Sequence, residues 1–127
     1  MRVQAAIAQP HCATSVVLLF RKLDCAELEQ ALPPLLDACE TSPHFARSLL
    51  DVGMNAFAYE LGRKLQKHTS AIIRKALLEI LRASLAAAWD PVTLLRAANL
   101  DVVLASLCGK SDQVLVTELA KSLCLES

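Results

Sequence analysis

Two dipeptides 48 residues apart, Ser42-Pro43 and Asp90-Pro91, constrain the fold of this chain more than any other feature. An oxygen-bearing side chain at the N-cap followed by Pro at the first helical position starts a helix. The cap accepts an otherwise unpaired N–H, and the Pro ring already holds a helical φ. Gly53 and Asn99, 46 residues apart, are the matching stops, because both residue types tolerate the left-handed backbone that ends a helix. Each short helix so enclosed is followed by two longer segments of helical period, at 54–67 and 70–88 in the first copy and at 100–108 and 112–125 in the second. The spacing is close to the roughly 40 to 47 residues of stacked helical repeats.

Composition agrees. The 127 residues are 54% hydrophobic, with 3 Gly and 4% aromatics, and the apolar share is mostly Leu and Ala, a helix-forming diet rather than a strand-forming one. Zero formal net charge and a mean hydropathy of +0.40 suggest that some apolar surface is covered by another body. No segment reaches the ~20 consecutive apolar residues needed to cross a bilayer, since 16–20 runs into Arg21 and Lys22. That block is also too short for a signal peptide, and Pro10-His11-Cys12 interrupts the approach to it. Cys12, Cys25, Cys39, Cys108 and Cys124 are odd in number and widely spaced, which predicts reduced, buried thiols in a cytoplasmic protein.

Residues 1–13 carry no period and form an irregular tail. From 14 to 23 the pattern is helical, and Asp24 with Glu27 then makes a D-x-x-E capping box for the segment 25–40. Pro33-Pro34 lies inside that segment. A Pro within a helix costs ~3 kcal/mol, so a kink or a split is expected at Leu32. The chain is then one domain over 14–127, made of a partial repeat at 14–41 and repeats at 42–89 and 90–125. In the helix over 70–88, Ile73, Leu77, Ile80, Leu81 and Ser84 trace the core face, with Arg74, Lys75, Glu79 and Arg82 opposite. In the helix before it, Phe57, Leu61 and Leu65 recur at i+4 and turn Tyr59, Arg63 and Gln66 elsewhere.

Leu49-Leu50-Asp51-Val52-Gly53-Met54 with Thr69-Ser70-Ala71-Ile72-Ile73-Arg74-Lys75-Ala76-Leu77 resembles an armadillo repeat in its three-helix layout. Leu94-Leu95-Arg96-Ala97-Ala98-Asn99-Leu100 with residues 111–120 repeats it. The resemblance covers about 43–125, and within the armadillo and HEAT-like families it is nearest to the armadillo-like tails of septation-type protein kinases. It implies a right-handed superhelical stack of about eight helices, with a groove built from third helices at 70–88 and 112–125. The groove-lining Asn ladder of import-type armadillo proteins is absent, because Asn55 and Asn99 sit near helix starts.

Little points to catalysis. His11-Cys12 lie in the irregular tail without an orienting carboxylate, and His44 and His68 fall at helix ends. No ligand pair of metal-site spacing occurs, and no cofactor is implied. Gly109-Lys110-Ser111 copies the end of a phosphate loop, but Leu104 stands where its first Gly belongs, and Gly109 reads as a helix C-cap. Trp89 is placed as a staple between repeats.

Charge is segregated along the chain. Seven acids lie between Asp24 and Glu60 against Arg47 alone, while Arg63, Lys64, Lys67, Arg74, Lys75 and Arg82 face only Glu79. These six bases are the candidate binding patch for an acidic protein partner, with a solvated face as the bland alternative. Nucleic acid is not expected of a neutral chain with one Trp and one Tyr. Val16, Leu19 and Phe20 are the candidate self-association surface, since the first helix offers an unbroken apolar run and a solenoid end needs a polar cap. That surface is expected to be covered by a second copy in a homodimer or by adjacent repeats of a longer chain. The expected function is a non-catalytic interaction scaffold or adaptor, part of a larger signalling or cytoskeletal protein. The alternative is a compact helical bundle acting as a dimeric structural or regulatory subunit.

Overall fold

The computed structural model describes residues 13–23, 25–52, 56–67, 71–88 and 90–108. Every element among them is helical: α1 (Ala13–Lys22), α2 (Cys25–Thr41), α3 (Pro43–Asp51), α4 (Ala56–Lys67), α5 (Ala71–Ala87), α6 (Pro91–Ala97) and α7 (Leu100–Cys108). The expected helix over 112–125, Gly53, the Asp24 cap, Trp89, His11-Cys12, His68 and the 109–111 loop lie outside the described residues. No helix of the described residues is long and apolar enough to cross a membrane.

Both start marks work as helix caps. Ser42 Oγ accepts from the Phe45 N–H at 3.2 Å, with Pro43 opening α3 behind it. Asp90 Oδ1 accepts from the Thr93 N–H at 3.2 Å, and Thr93 Oγ1 donates to Asp90 Oδ2 at 2.7 Å. Each cap satisfies one of the N–H groups that a first turn leaves without an intrahelical acceptor. At the other end of α6, Asn99 adopts φ +58°, the left-handed stop read from its residue type. Its carbonyl then accepts from the Val103 N–H at 3.4 Å, so the residue that ends α6 also opens α7.

Of the two outcomes expected at Leu32, a kink or a split, the split does not occur: the helix runs unbroken from Cys25 to Thr41 through Pro33 and Pro34. The prolines remove the hydrogen bonds to the Glu29 and Gln30 carbonyls, and both those residues are exposed to water. Leu28, Leu32, Leu35 and Cys39 meanwhile form a buried stripe at i, i+4, i+7 and i+11 on the opposite side. Burial of three Leu side chains, at roughly 1.5 to 3 kcal/mol each, is large enough to offset two proline penalties of ~3 kcal/mol each.

Helix α5 is the hub, packed on α2, α3 and α4. Ile73, Leu77, Ile80, Leu81 and Ser84 are all fully buried, as their spacing requires, and Leu78 and Leu85 widen the face. Phe57, Leu61 and Leu65 of α4 are equally buried, while Tyr59, Arg63 and Gln66 are exposed. Helix α1 packs on α3 and α4, and α7 packs on α4 and α6. The first helix therefore uses much of its apolar run within the chain: Val16 and Phe20 are fully buried, Leu19 is partly buried against the core, and Leu18 is exposed. That placement corrects the reading of Val16 and Phe20 as an open self-association surface, because neither side chain reaches solvent.

Candidate functional site

Helix α4 presents Tyr59, Arg63, Gln66 and Lys67 to solvent, with α1 on one flank and α7 on the other. On the α1 flank Glu60 is only 4% exposed. Its Oε1 accepts from Arg63 Nη1 at 2.9 Å, and Arg21 Nε from the end of α1 stands 3.7 Å from the same oxygen. Lys64, one helical turn on, is buried. Its Nζ donates to the Arg21 and Leu23 carbonyls at 3.5 and 3.4 Å and lies 5.0 Å above the ring of Phe20. Phe20 in turn meets Phe57 at 5.2 Å between ring centroids, tilted by 52°.

The chemistry of this seam follows from the end of α1. The last turn of a helix exposes unpaired carbonyls and a partial negative charge, and a cation placed there satisfies both. Burial lowers the Lys64 pKa from its ordinary value, opposed by the neighbouring Glu60 carboxylate. Arg74 repeats the device one helix on: it is buried, and its Nε donates to the Leu65 carbonyl at 3.2 Å near the end of α4.

The six bases of the sequence-derived patch therefore do not form one surface. Lys64 and Arg74 are interior cations that hold helix ends. Lys75 is exposed and lies 3.8 Å from Glu79, the i, i+4 pair expected of that spacing. Arg82 lines a separate open groove of about 300 Å³ between α2 and α5, with Glu40, Pro43, Glu79 and Ala83. Arg63 and Lys67 remain together on α4. Arg21, which the charge reading passed over, joins Arg63 because packing α1 on α4 brings residues 42 apart in sequence to one carboxylate. The sequence carried only a faint sign of this, the basic pair Arg21-Lys22 closing a helix.

On the α7 flank, Gly62 lets the two helices come close: a Cβ there would lie 3.1 Å from Leu100 Cδ2 and 3.6 Å from Val103 Cγ2. An open groove of about 300 Å³ runs beside this contact, lined by Tyr59, Arg63, Gln66, Val102 and Val103 among others. Tyr59 is 50% and Val102 62% exposed, two of the large apolar side chains left to solvent.

The α2–α5 groove lies along α5, one of the two helices from which a groove was expected, the other, 112–125, being outside the described residues. At its base sits the buried thiol of Cys39, pushed up to about 12 by burial and, secondarily, by the Glu40 carboxylate. That places it far from the reactive thiolate range. Among the described residues no group of His, Cys, Asp and Glu is arranged to hold a metal ion. Against known proteins, no family model, no curated protein and no solved structure matches this chain.

Proposed function

We propose that this chain is a non-catalytic protein–protein interaction scaffold built from armadillo-like repeats and working in the cytoplasm. The observation that carries the reading is the pairing of helices three places apart in chain order: α1 with α4, α4 with α7, and α2 with α5. In a stack of three-helix units each helix meets its counterpart in the next unit, and stability comes from such nearest-neighbour interfaces. The recurrence of a capped short helix after 48 residues supports the same unit length. Stacks of this kind display long helical faces, and here those faces carry exposed charge beside shallow apolar grooves, a composition suited to a macromolecular partner. The free, buried thiol of Cys39 fits a reducing compartment.

The test is affinity capture on the immobilised full chain from native cells, identification by mass spectrometry, and titration of the purified captured protein. The expected result is a saturable complex of fixed stoichiometry with neither component chemically altered. Retention no greater than on the heat-denatured chain, or conversion of a small molecule by the purified chain, overturns the reading.

A further inference from the structure

We propose that the exposed face of α4, where Arg21 and Arg63 meet over Glu60 beside the Tyr59–Val102 groove, docks an acidic amphipathic peptide segment of a partner protein. The proposal rests on the scaffold reading and names its ligand chemistry. Among the described residues three cations, Arg21, Arg63 and Lys64, gather at the Glu60 carboxylate in this seam, an excess of positive charge although the chain as a whole is neutral. Lys64 is buried on backbone carbonyls and is not available to a ligand. The side chains of Arg21 and Arg63 are 55% and 56% exposed.

A guanidinium carries five N–H donors in a rigid fork suited to carboxylates. Arg63 gives Nη1 to Glu60, and Arg21 at 3.7 Å makes an ion pair longer than a hydrogen bond, which leaves donors on both for a second carboxylate. Glu60, nearly buried on a packed helix, holds the two guanidinium groups toward one point before any ligand arrives, and such pre-organisation reduces the entropy lost on binding.

The adjacent groove supplies the other half of the recognition. Tyr59 and Val102 are large, exposed and rimmed by Arg63 and Gln66, the arrangement of an apolar contact within a polar border. Tyr and Arg are also the residue types that dominate binding energy at interfaces. A free phosphate would leave the groove unused. A nucleic-acid site is usually net basic with aromatic platforms for the bases, whereas this chain is neutral with one Trp and one Tyr. A segment with carboxylates on one side and Leu or Phe on the other matches both features.

Fluorescence anisotropy tests this on the full chain with a labelled synthetic helix bearing Glu on one face and Leu and Phe on the other. Comparators are the same peptide with Gln for Glu, polyglutamate, and a single-stranded oligonucleotide. Saturable binding is expected that weakens with salt, falls about tenfold with Arg63→Gln or with the Gln peptide, and falls similarly with Val102→Ser. Arg82→Gln, in the other groove, leaves it within about twofold. Arg21→Gln gives a second reading should Arg63→Gln lower the melting midpoint. Absence of binding, indifference to both Arg variants, or equal binding of polyglutamate or the oligonucleotide overturns the proposal. A native partner still captured by the Arg21→Gln/Arg63→Gln double variant removes this docking site and leaves the scaffold standing, whereas capture of nothing by the parent chain removes the scaffold itself.

Discussion

Gly62 faces Leu100 so closely that a Cβ on the glycine would stand 3.1 Å from the leucine Cδ2. This contact joins α4 to α7 and depends on the absence of a side chain at position 62. Gly62→Ala gains about 1 kcal/mol of helix propensity and loses a similar amount in displacing Leu100, so its melting midpoint should stay near the parent's. Gly62→Leu adds volume that the interface cannot take and should cost about 1 to 3 kcal/mol in denaturant unfolding. A fully stable leucine variant would show that the α4–α7 contact is absent in solution.

Glu60 is the counter-charge to Arg21, Arg63 and Lys64 among the described residues of the α1–α4 seam. Glu60→Gln leaves Arg21, Arg63 and Lys64 facing one another and should destabilise by roughly 1 to 3 kcal/mol, less than for a fully buried pair because the arginines are half exposed. Added salt should recover part of the loss by screening. Urea titrations of both proteins at low and high ionic strength measure it, and a salt-independent loss would point to packing instead of charge.

Ser84 is fully buried within α5, and its Oγ has no hydrogen-bond partner. A buried hydroxyl without a partner is a destabilising group, and Ala is the better helix former. Ser84→Ala is therefore expected to raise stability by about 1 kcal/mol, read as an upward shift of the thermal midpoint. Leu77 in the same helix sets the opposite limit: Leu77→Ala should cost ~2 to 5 kcal/mol, whereas Glu79→Ala stays within about half a kcal/mol. Equal effects at 77 and 79 would contradict the orientation of α5.

Cys39 gives the fold an alkaline weakness. Its thiol is pushed from 9.0 up to about 12 by burial, so above pH 9 the unfolded chain ionises this group while the folded chain does not. The unfolded state then binds fewer protons, and stability that is fully present below pH 9 declines by about 1.4 kcal/mol per pH unit as pH rises toward 12. Between pH 8 and pH 10.5 the parent should lose about 2 kcal/mol more than Cys39→Ala, as measured by urea unfolding. Parallel pH profiles for the two proteins would exclude this coupling.

Asp90 accepts from both the N–H and the hydroxyl of Thr93 at the start of α6, whereas Ser42 at α3 accepts from the Phe45 N–H. Asp90→Ala should cost about 1 to 2 kcal/mol and Ser42→Ala about 1 kcal/mol, compared by thermal unfolding. At Asn99, with φ +58°, Asn99→Gly should be tolerated, whereas Asn99→Val forces a β-branched residue into the left-handed region at a cost of about 1 to 2 kcal/mol.

The sequence by itself determined the features whose physics is local. Caps at Ser42 and Asp90, the stop at Asn99, the bounds of α7 and the buried faces of α4 and α5 each depend on residues within one or two helical turns, and each was legible there. Periodicity could not say which polar residues on those helices remain in water. Lys64 and Arg74 read as surface bases, yet each is drawn inside by the carbonyls at the end of another helix, a partner that exists only after the helices pack. Tertiary packing likewise kept α2 whole across Pro33-Pro34, because a buried leucine stripe offsets the two proline penalties, and it enclosed Val16 and Phe20. The candidate site was half visible, in Arg63 and Lys67. Its other half, Arg21 with Glu60, arises from the contact of α1 with α4, and Coulomb attraction depends on separation in space, which separation along the chain does not reveal.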